Sequence, residues 1–196
     1  MESKNILMLV GDYVEDYEAM CIYQILECLG YLVHTVCPEK KPGDKVRTAV
    51  HDFLDGEQTY NEKPGHNFNI NYDFTQVSVD NYVGLMIPGG RAPEYLRLNK
   101  RLVEIVKEFN SKGKLIGAIC HGPQILVAAD VLKGVEMTAY PALEPEVVLA
   151  GATWKVPNDT FNNVVVSRNI VTAPAWPAHS NFVRKFVEML GAKISI

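Results

Sequence analysis

Apolar residues fall along this chain in two rhythms. Residues 5–10 form a run of strand length, and the polar GDYVEDYE after it gives way to Ile22, Ile25, Leu26 and Leu29 at helical spacing within 19–29. Gly30 stops that helix. Residues 31–37 read as a second buried strand, ended by Pro38. A strand, a helix and a strand joined by short turns imply a right-handed parallel crossover, the opening unit of a doubly wound sheet.

The alternation breaks over 39–79. EKKPGDK is a turn, TAVHDFL reads as a strand, DGEQTYNEKPGHN is polar and turn-rich, and FNINYDF alternates like a second strand, so the segment is expected to be an inserted hairpin or flap. Residues 82–87 resume the central sheet and run into PGGRAPEY, where two glycines after a strand let backbone amides approach a ligand. Asn99 caps a helix carrying Leu102, Ile105, Val106 and Phe109, with Gly113 as its stop. Strand 115–119 meets helix 123–132 at Cys120. Beyond it the pattern predicts a short strand over 135–139, a helix from Pro145 to near Gly151, and strands over 153–156, 163–166 and 169–172. After the proline- and aromatic-rich APAWPAHSN, Ser180 is expected to cap a helix over 182–190, with Gly191 as its stop. The reading is one α/β domain over 1–196, with a mostly parallel central sheet and an insertion around 39–79.

The turn at Cys120 carries the chemistry. A strand running straight into a helix makes a nucleophile elbow, and Ala118 and Gly122, two residues to either side, are small enough for so tight a corner. Such a turn exposes the side chain at the carboxyl edge of the sheet. The free amides of the following helix then favour thiolate over thiol, so Cys120 is expected to be a reactive nucleophile rather than an inert buried cysteine.

Composition narrows the partners. Nineteen basic and 23 acidic residues give a net charge of −4 without a basic run, which argues against nucleic acid. No stretch reaches membrane-span length and MESKNILMLV leads into a strand without a cleavable signal, so the expected location is cytoplasmic. Cys21, Cys28, Cys37 and Cys120 lack zinc-site spacing, so free thiols are expected and no metal or cofactor is called for. Seven helical residues separate Cys21 and Cys28 by roughly 10.5 Å, beyond the roughly 7 Å reach of a disulfide.

In an open α/β sheet the ligand lies beyond the carboxyl ends of the strands, so four loops are expected to converge: 12–18, 89–94, the elbow, and the segment around Trp176 and His179. Glu18 falls in the first helical turn, where a carboxyl beside a thiolate is pushed toward its protonated form; alternatively Glu15, Asp16 and Glu18 simply complement the helix dipole. The amides of Gly90 and His121 are the expected oxyanion donors. The His121 imidazole either takes part in proton transfer or only packs, because neighbours on an elbow usually point apart. His34, His51 and His66 read as surface or flap residues. His179 lies in the right loop, with a cap or surface role weighed against a place in the substrate site.

AICHGPQIL, PGGRAPEYL and GDYVEDYE together resemble the PfpI superfamily, also called intracellular protease I, which includes the Parkinson-disease protein and the cofactor-free glyoxalase III enzymes. The likeness spans essentially the whole chain and is greatest to plant-type members, whose chains carry two such units. It implies a flavodoxin-like three-layer sandwich, related to the class I glutamine amidotransferases, with Cys120 as nucleophile, Glu18 as the acid at its sulfur and His121 beside it. It further implies that Glu94 sits at a subunit contact and meets a neighbouring copy's His121, in a homo-oligomeric dimer, trimer or hexamer. The activity it implies is a stress-response conversion of methylglyoxal or a similar 2-oxoaldehyde into the 2-hydroxy acid through a Cys120 hemithioacetal. The rival readings are a cysteine peptidase, a protein deglycase, and a non-enzymatic redox sensor or chaperone using the same thiol.

Overall fold

The computed structural model describes residues 4–193 of the chain. In chain order its elements are β1 Asn5–Leu9, α1 Asp16–Cys28, β2 Leu32–Val36, β3 Lys45–Asp52, β4 Asn61–Asn69, β5 Gly84–Ile87, α2 Ala92–Leu96, α3 Lys100–Ser111, β6 Leu115–Ile119, α4 Pro123–Ala128, β7 Glu136–Met137, α5 Glu144–Leu149, β8 Thr153–Trp154, β9 Val165–Ser167, β10 Ile170–Ala173 and α6 His179–Met189. Six strands form the central sheet in the order β2-β1-β5-β6-β10-β9. All pairings are parallel except β10 with β9. Leaving aside the edge strand β9, the order is that of the flavodoxin-like sandwich, with its switch point between β1 and β5.

Strands β1, β5, β6 and β10 are almost wholly buried, so they carry continuous apolar runs rather than an alternation. On one face α1 packs beside α6, and on the other α3, α4 and α5 follow one another. Each helix turns an apolar stripe inward: Ala19, Ile22 and Leu26 on α1, Leu102, Ile105, Val106 and Phe109 on α3, and Phe182, Val183, Phe186 and Val187 on α6. Among the described residues no helix is long and apolar enough to cross a membrane. No described group of three or more His, Cys, Asp or Glu has the arrangement to hold a metal ion. All four cysteines are free thiols.

The insertion is a two-stranded antiparallel hairpin, β3 with β4, but its second strand lies earlier than the alternation predicts. NEKPGHNFN forms β4, so of the predicted FNINYDF only Phe68 and Asn69 are in the strand, and Phe74 opens a 3-10 turn. A strand with a single partner leaves one side's N–H groups without a ladder role, so Pro64 fits there, opposite Ala49 at a register shift. Side chains on one such face need not be apolar, which hides the strand from a hydrophobicity reading.

Three further expectations are corrected. Ser180 does not cap the last helix: α6 starts at His179, after a 3-10 turn over Trp176–Ala178, and Ala178 precedes it without a side-chain cap. The strand predicted over 135–139 shortens to β7, which pairs with β8 in a small sheet of its own. The helix after the elbow ends at Ala128 rather than 132.

Candidate active site

Cys120 joins β6 to α4 with φ 57°, a left-handed conformation that strains any residue bearing a Cβ. The corner is held from both sides: Cys120 N–H donates to the Ala173 carbonyl at 3.1 Å, and Tyr140 N–H donates to the Cys120 carbonyl at 3.1 Å. The small residue at 122 has a steric cause, since a Cβ on Gly122 would lie 2.4 Å from the Ile87 carbonyl oxygen.

Three loops that leave the sheet at its carboxyl edge meet at this sulfur. A Cβ on Gly89 would lie 2.7 Å from Cys120 Cβ, 2.7 Å from the His121 nitrogen and 2.9 Å from Glu18 Oε2, so backbone and carboxyl share the space a side chain would fill. The Gly90 and His121 amides both donate toward the Cys120 sulfur. His121 does not turn away as elbow neighbours usually do, for its Nδ1 lies 3.3 Å from Cys120 Sγ. Its ring stacks on Tyr140 with centroids 4.8 Å apart, which accounts for the orientation.

The three acids of the first loop are not interchangeable dipole partners. Glu15 caps α1, its Oε2 accepting the Glu18 N–H at 2.7 Å, and its carboxyl also takes backbone N–H groups of His51 and Tyr17. Asp16 ties down the hairpin, bonding the Thr48 hydroxyl and accepting the His66 N–H at 2.7 Å. Glu18 is fully buried: Oε2 accepts the Gly89 N–H at 2.6 Å, Oε1 has no hydrogen-bond partner, and the Cys120 thiol is its polar side-chain neighbour.

Burial raises the Glu18 carboxyl well above its ordinary range, and the Glu15 charge adds to the rise. Cys120 departs from the sequence argument in the same direction. Burial first and the Glu18 charge second push its thiol up, outweighing the Gly90 and His121 amides that pull it down. The reason is local: α4 has only the six residues Pro123–Ala128, so its dipole is weak against full desolvation. Glu18 and Cys120 therefore behave as one site in which burial resists ionisation of either group and the charge of one opposes the charge of the other. A carboxylic acid beside a thiolate and a carboxylate beside a thiol are the two forms of the singly protonated pair.

Glu15 makes a separate prediction for stability. Burial raises its carboxyl from 4.5 to about 7. Between those values the folded chain holds a proton that the unfolded chain has lost, so stability falls as pH rises through the interval, by about 3 kcal/mol at most. Glu15→Gln keeps an acceptor for the Glu18 N–H and removes the charge. Its stability relative to wild type is expected to climb from pH 5 to pH 8 in urea unfolding, and a difference independent of pH would contradict the assignment.

The roof over Cys120 is aromatic. His51, Phe53, Tyr60, Gly90, Cys120, His121, Tyr140 and Trp176 line a narrow cavity. The hairpin contributes His51, Phe53 and Tyr60, although Phe53 and Tyr60 lie beyond the strand ends. Its placement is set by bonds to the first loop, Tyr13 N–H to Arg47 O at 2.6 Å and Ala49 N–H to Val14 O at 2.9 Å. Phe53 meets Trp176 at 5.8 Å between centroids, and Tyr60 meets Tyr140 at 5.6 Å.

The DJ-1/PfpI family profile matches residues 4–189. The chain belongs to the DJ-1/PfpI family. Protein DJ-1 homolog D of Arabidopsis thaliana is 51% identical over 193 residues, which is 98% of this chain and 49% of that protein. The chain spans about half the length of the curated plant relatives it matches. The family includes archaeal deglycases: those of Pyrococcus abyssi and Pyrococcus furiosus are 36% and 35% identical over 95% of this chain and 99% of theirs. Drosophila melanogaster DJ-1beta shares the fold with a TM-score of 0.79 at 22% identity, covering 97% of this chain and 92% of that one.

Within this DJ-1/PfpI chain Cys120, His121, Gly90 and Trp176 line one cavity, and Glu18 is buried at the Cys120 sulfur outside that lining. Glu94 lies outside it, exposed on α2. His179 is neither a cap nor a surface residue nor part of the cavity lining: it is 4% exposed, both ring nitrogens lack partners, and Tyr17 meets it edge-on at 4.9 Å. Burial lowers its imidazole to about 4, so it stays neutral. His51, read as a surface or flap residue, is 7% exposed and lines the cavity. Its spacing resembles no motif, and only the folding of the hairpin over the elbow brings it there.

Proposed function

We propose that this DJ-1/PfpI domain is a cofactor-independent enzyme of the glyoxalase III type, converting a small 2-oxoaldehyde such as methylglyoxal into the 2-hydroxy acid. The observation that carries the reading is a cysteine with two amides and a buried acid at its sulfur, beside a narrow cavity roofed by rings. So narrow a site under a cover of rings suits a three-carbon aldehyde better than a peptide chain. Cys120 adds through sulfur to the aldehyde carbon, and the thiol proton passes to the aldehyde oxygen, giving a hemithioacetal. The Gly90 and His121 amides stabilise the oxygen as charge develops on it. Transfer of the hydrogen from the first carbon to the second as a proton oxidises the first and reduces the second. Water then cleaves the resulting thioester, releasing the 2-hydroxy acid and the thiol.

The closest second reading is deglycation, favoured by the archaeal relatives named as deglycases. It uses the same thiol and oxyanion donors but requires an adducted amino group to reach Sγ. The deciding measurement is lactate formation from methylglyoxal with no glutathione added. Wild-type protein is expected to turn over, and a chain whose Cys120 alkylates readily but makes no lactate would overturn the glyoxalase reading in favour of the second.

The proposal extends to assembly. Glu94 is exposed on α2, open to a second copy of the chain, where it would orient His121. Sedimentation is expected to find an oligomer, and a fully active monomer would remove Glu94 from the mechanism.

A further inference from the structure

The hairpin carries a histidine–carboxylate unit that the steps above do not use. His51 Nε2 lies 3.1 Å from Glu62 Oε2 across the β3–β4 pair. Glu62 is itself clamped by Arg91, whose Nε and terminal nitrogen reach its two oxygens at 3.0 and 2.7 Å. Arg91 in turn lies over the Tyr13 ring at 4.0 Å, so the clamp is anchored to the first loop. The His51 N–H is held by the Glu15 carboxyl, and Tyr60 meets the imidazole edge-on at 5.4 Å. A side chain fixed from backbone, ring edge and Nε2 keeps one free group. Its Nδ1 is buried and has no hydrogen-bond partner, in a residue that lines the cavity beside Cys120.

We propose that His51 is the base that moves the carbon-bound proton, with Glu62 as its positioning residue. The inference rests on the 2-oxoaldehyde reading and deepens it. The Arg91 bonds hold Glu62 below the usual carboxylate range, so it stays ionised and fixes the proton of a neutral imidazole on Nε2. Burial lowers the His51 ring from its ordinary value, against the pull of Glu62, which keeps Nδ1 a free lone pair near neutrality. The other groups at the cavity are already engaged. Glu18 shares its proton with Cys120, and His121, lowered to about 4 by burial and by His51, has Nδ1 at the sulfur.

In the step itself, Nδ1 takes the hydrogen of the first carbon as a proton. The electron pair forms the carbon–carbon double bond of an enediolate, with the negative charge on the second oxygen. The imidazolium, paired with the Glu62 carboxylate, returns that proton to the second carbon. The hydroxyl proton on the first oxygen passes to the second, leaving the thioester carbonyl and a 2-hydroxyl group. Atoms and charge balance, and His51 ends neutral.

His51→Gln and Glu62→Gln are compared with wild type, using methylglyoxal for turnover and iodoacetamide as the probe of Cys120. Glutamine at 51 keeps an amide N–H for Glu62 while losing Nδ1, so the hairpin remains tied. H51Q is expected to lower kcat about 100-fold with KM and the alkylation rate changed less than about threefold, and E62Q to lower kcat about tenfold. A kcat in H51Q within about threefold of wild type, or equal loss of turnover and alkylation, would overturn the proposal. Should wild type alkylate yet make no 2-hydroxy acid, the substrate reading is what fails, and nitrogen-15 NMR at pH 7 decides His51. The Nε2–H tautomer with free Nδ1 supports its role as a base; a proton on Nδ1 rules it out.

Discussion

Cys120→Ala is expected to reduce lactate formation from methylglyoxal by about 10⁴-fold or more while leaving the fold intact. Sγ is the atom that bonds to the aldehyde carbon in the proposed route, and an alanine methyl group cannot replace it. The fold should survive because alanine and cysteine present the same Cβ to the left-handed corner at φ 57°. The backbone bonds to Ala173 and Tyr140 do not involve sulfur. Cys120→Ser should be nearly as inactive, because an alcohol is too weak an acid to share a proton with Glu18. Coupled enzymatic detection of lactate, with circular dichroism as the check on folding, measures both. Activity of the alanine variant within about tenfold of wild type would end the case for a covalent route.

Glu18→Leu is expected to lower the thiol titration and to lower turnover about 10³-fold, whereas Glu18→Gln separates the loss of charge from the loss of a hydrogen-bonding partner. After burial, the Glu18 charge is the largest influence raising the Cys120 thiol; leucine removes that charge and, with it, the acid that exchanges a proton with sulfur. Burial still holds the thiol up against the Gly90 and His121 amides, but less far than in wild type. Glutamine retains an oxygen for the Gly89 N–H and an amide N–H for sulfur, so alkylation should fall less than about fivefold. Turnover should still fall about tenfold, since no proton can be exchanged with the pair. The check is the iodoacetamide rate against pH beside steady-state turnover. A leucine variant that titrates and turns over like wild type would show that the acid is only a packing element.

The legible parts of this protein were those that depend on near neighbours in sequence. Strands β1, β5 and β6 announce themselves as apolar runs, and α1, α3 and α6 as stripes at helical spacing, because burial of a regular backbone imposes a fixed period. The elbow was readable because sterics at the corner permit little besides Gly122, beneath the Ile87 carbonyl. Strand β4 was not, since an edge strand crossed by Pro64 carries no hydrophobic signature. The position of Glu18 in a first turn was visible, but its distinction from Glu15 and Asp16 was not. Three acids within four residues look alike until one caps a helix, one holds a hairpin and one meets a thiol.

The amino-acid order by itself determined the strand–elbow–helix with Cys120 at its corner, the parallel sheet, and the loops that must emerge at its carboxyl edge. Local period and local sterics suffice for each. Only the tertiary structure decided the charge state of the pair at the sulfur and the cast of the cavity, because desolvation depends on everything packed around a group. His51, Phe53 and Tyr60 reach the cavity from an insertion more than fifty residues ahead of Cys120 in the chain, through bonds between its backbone and the first loop. No periodicity encodes that meeting, since it exists only once two distant segments have closed on each other.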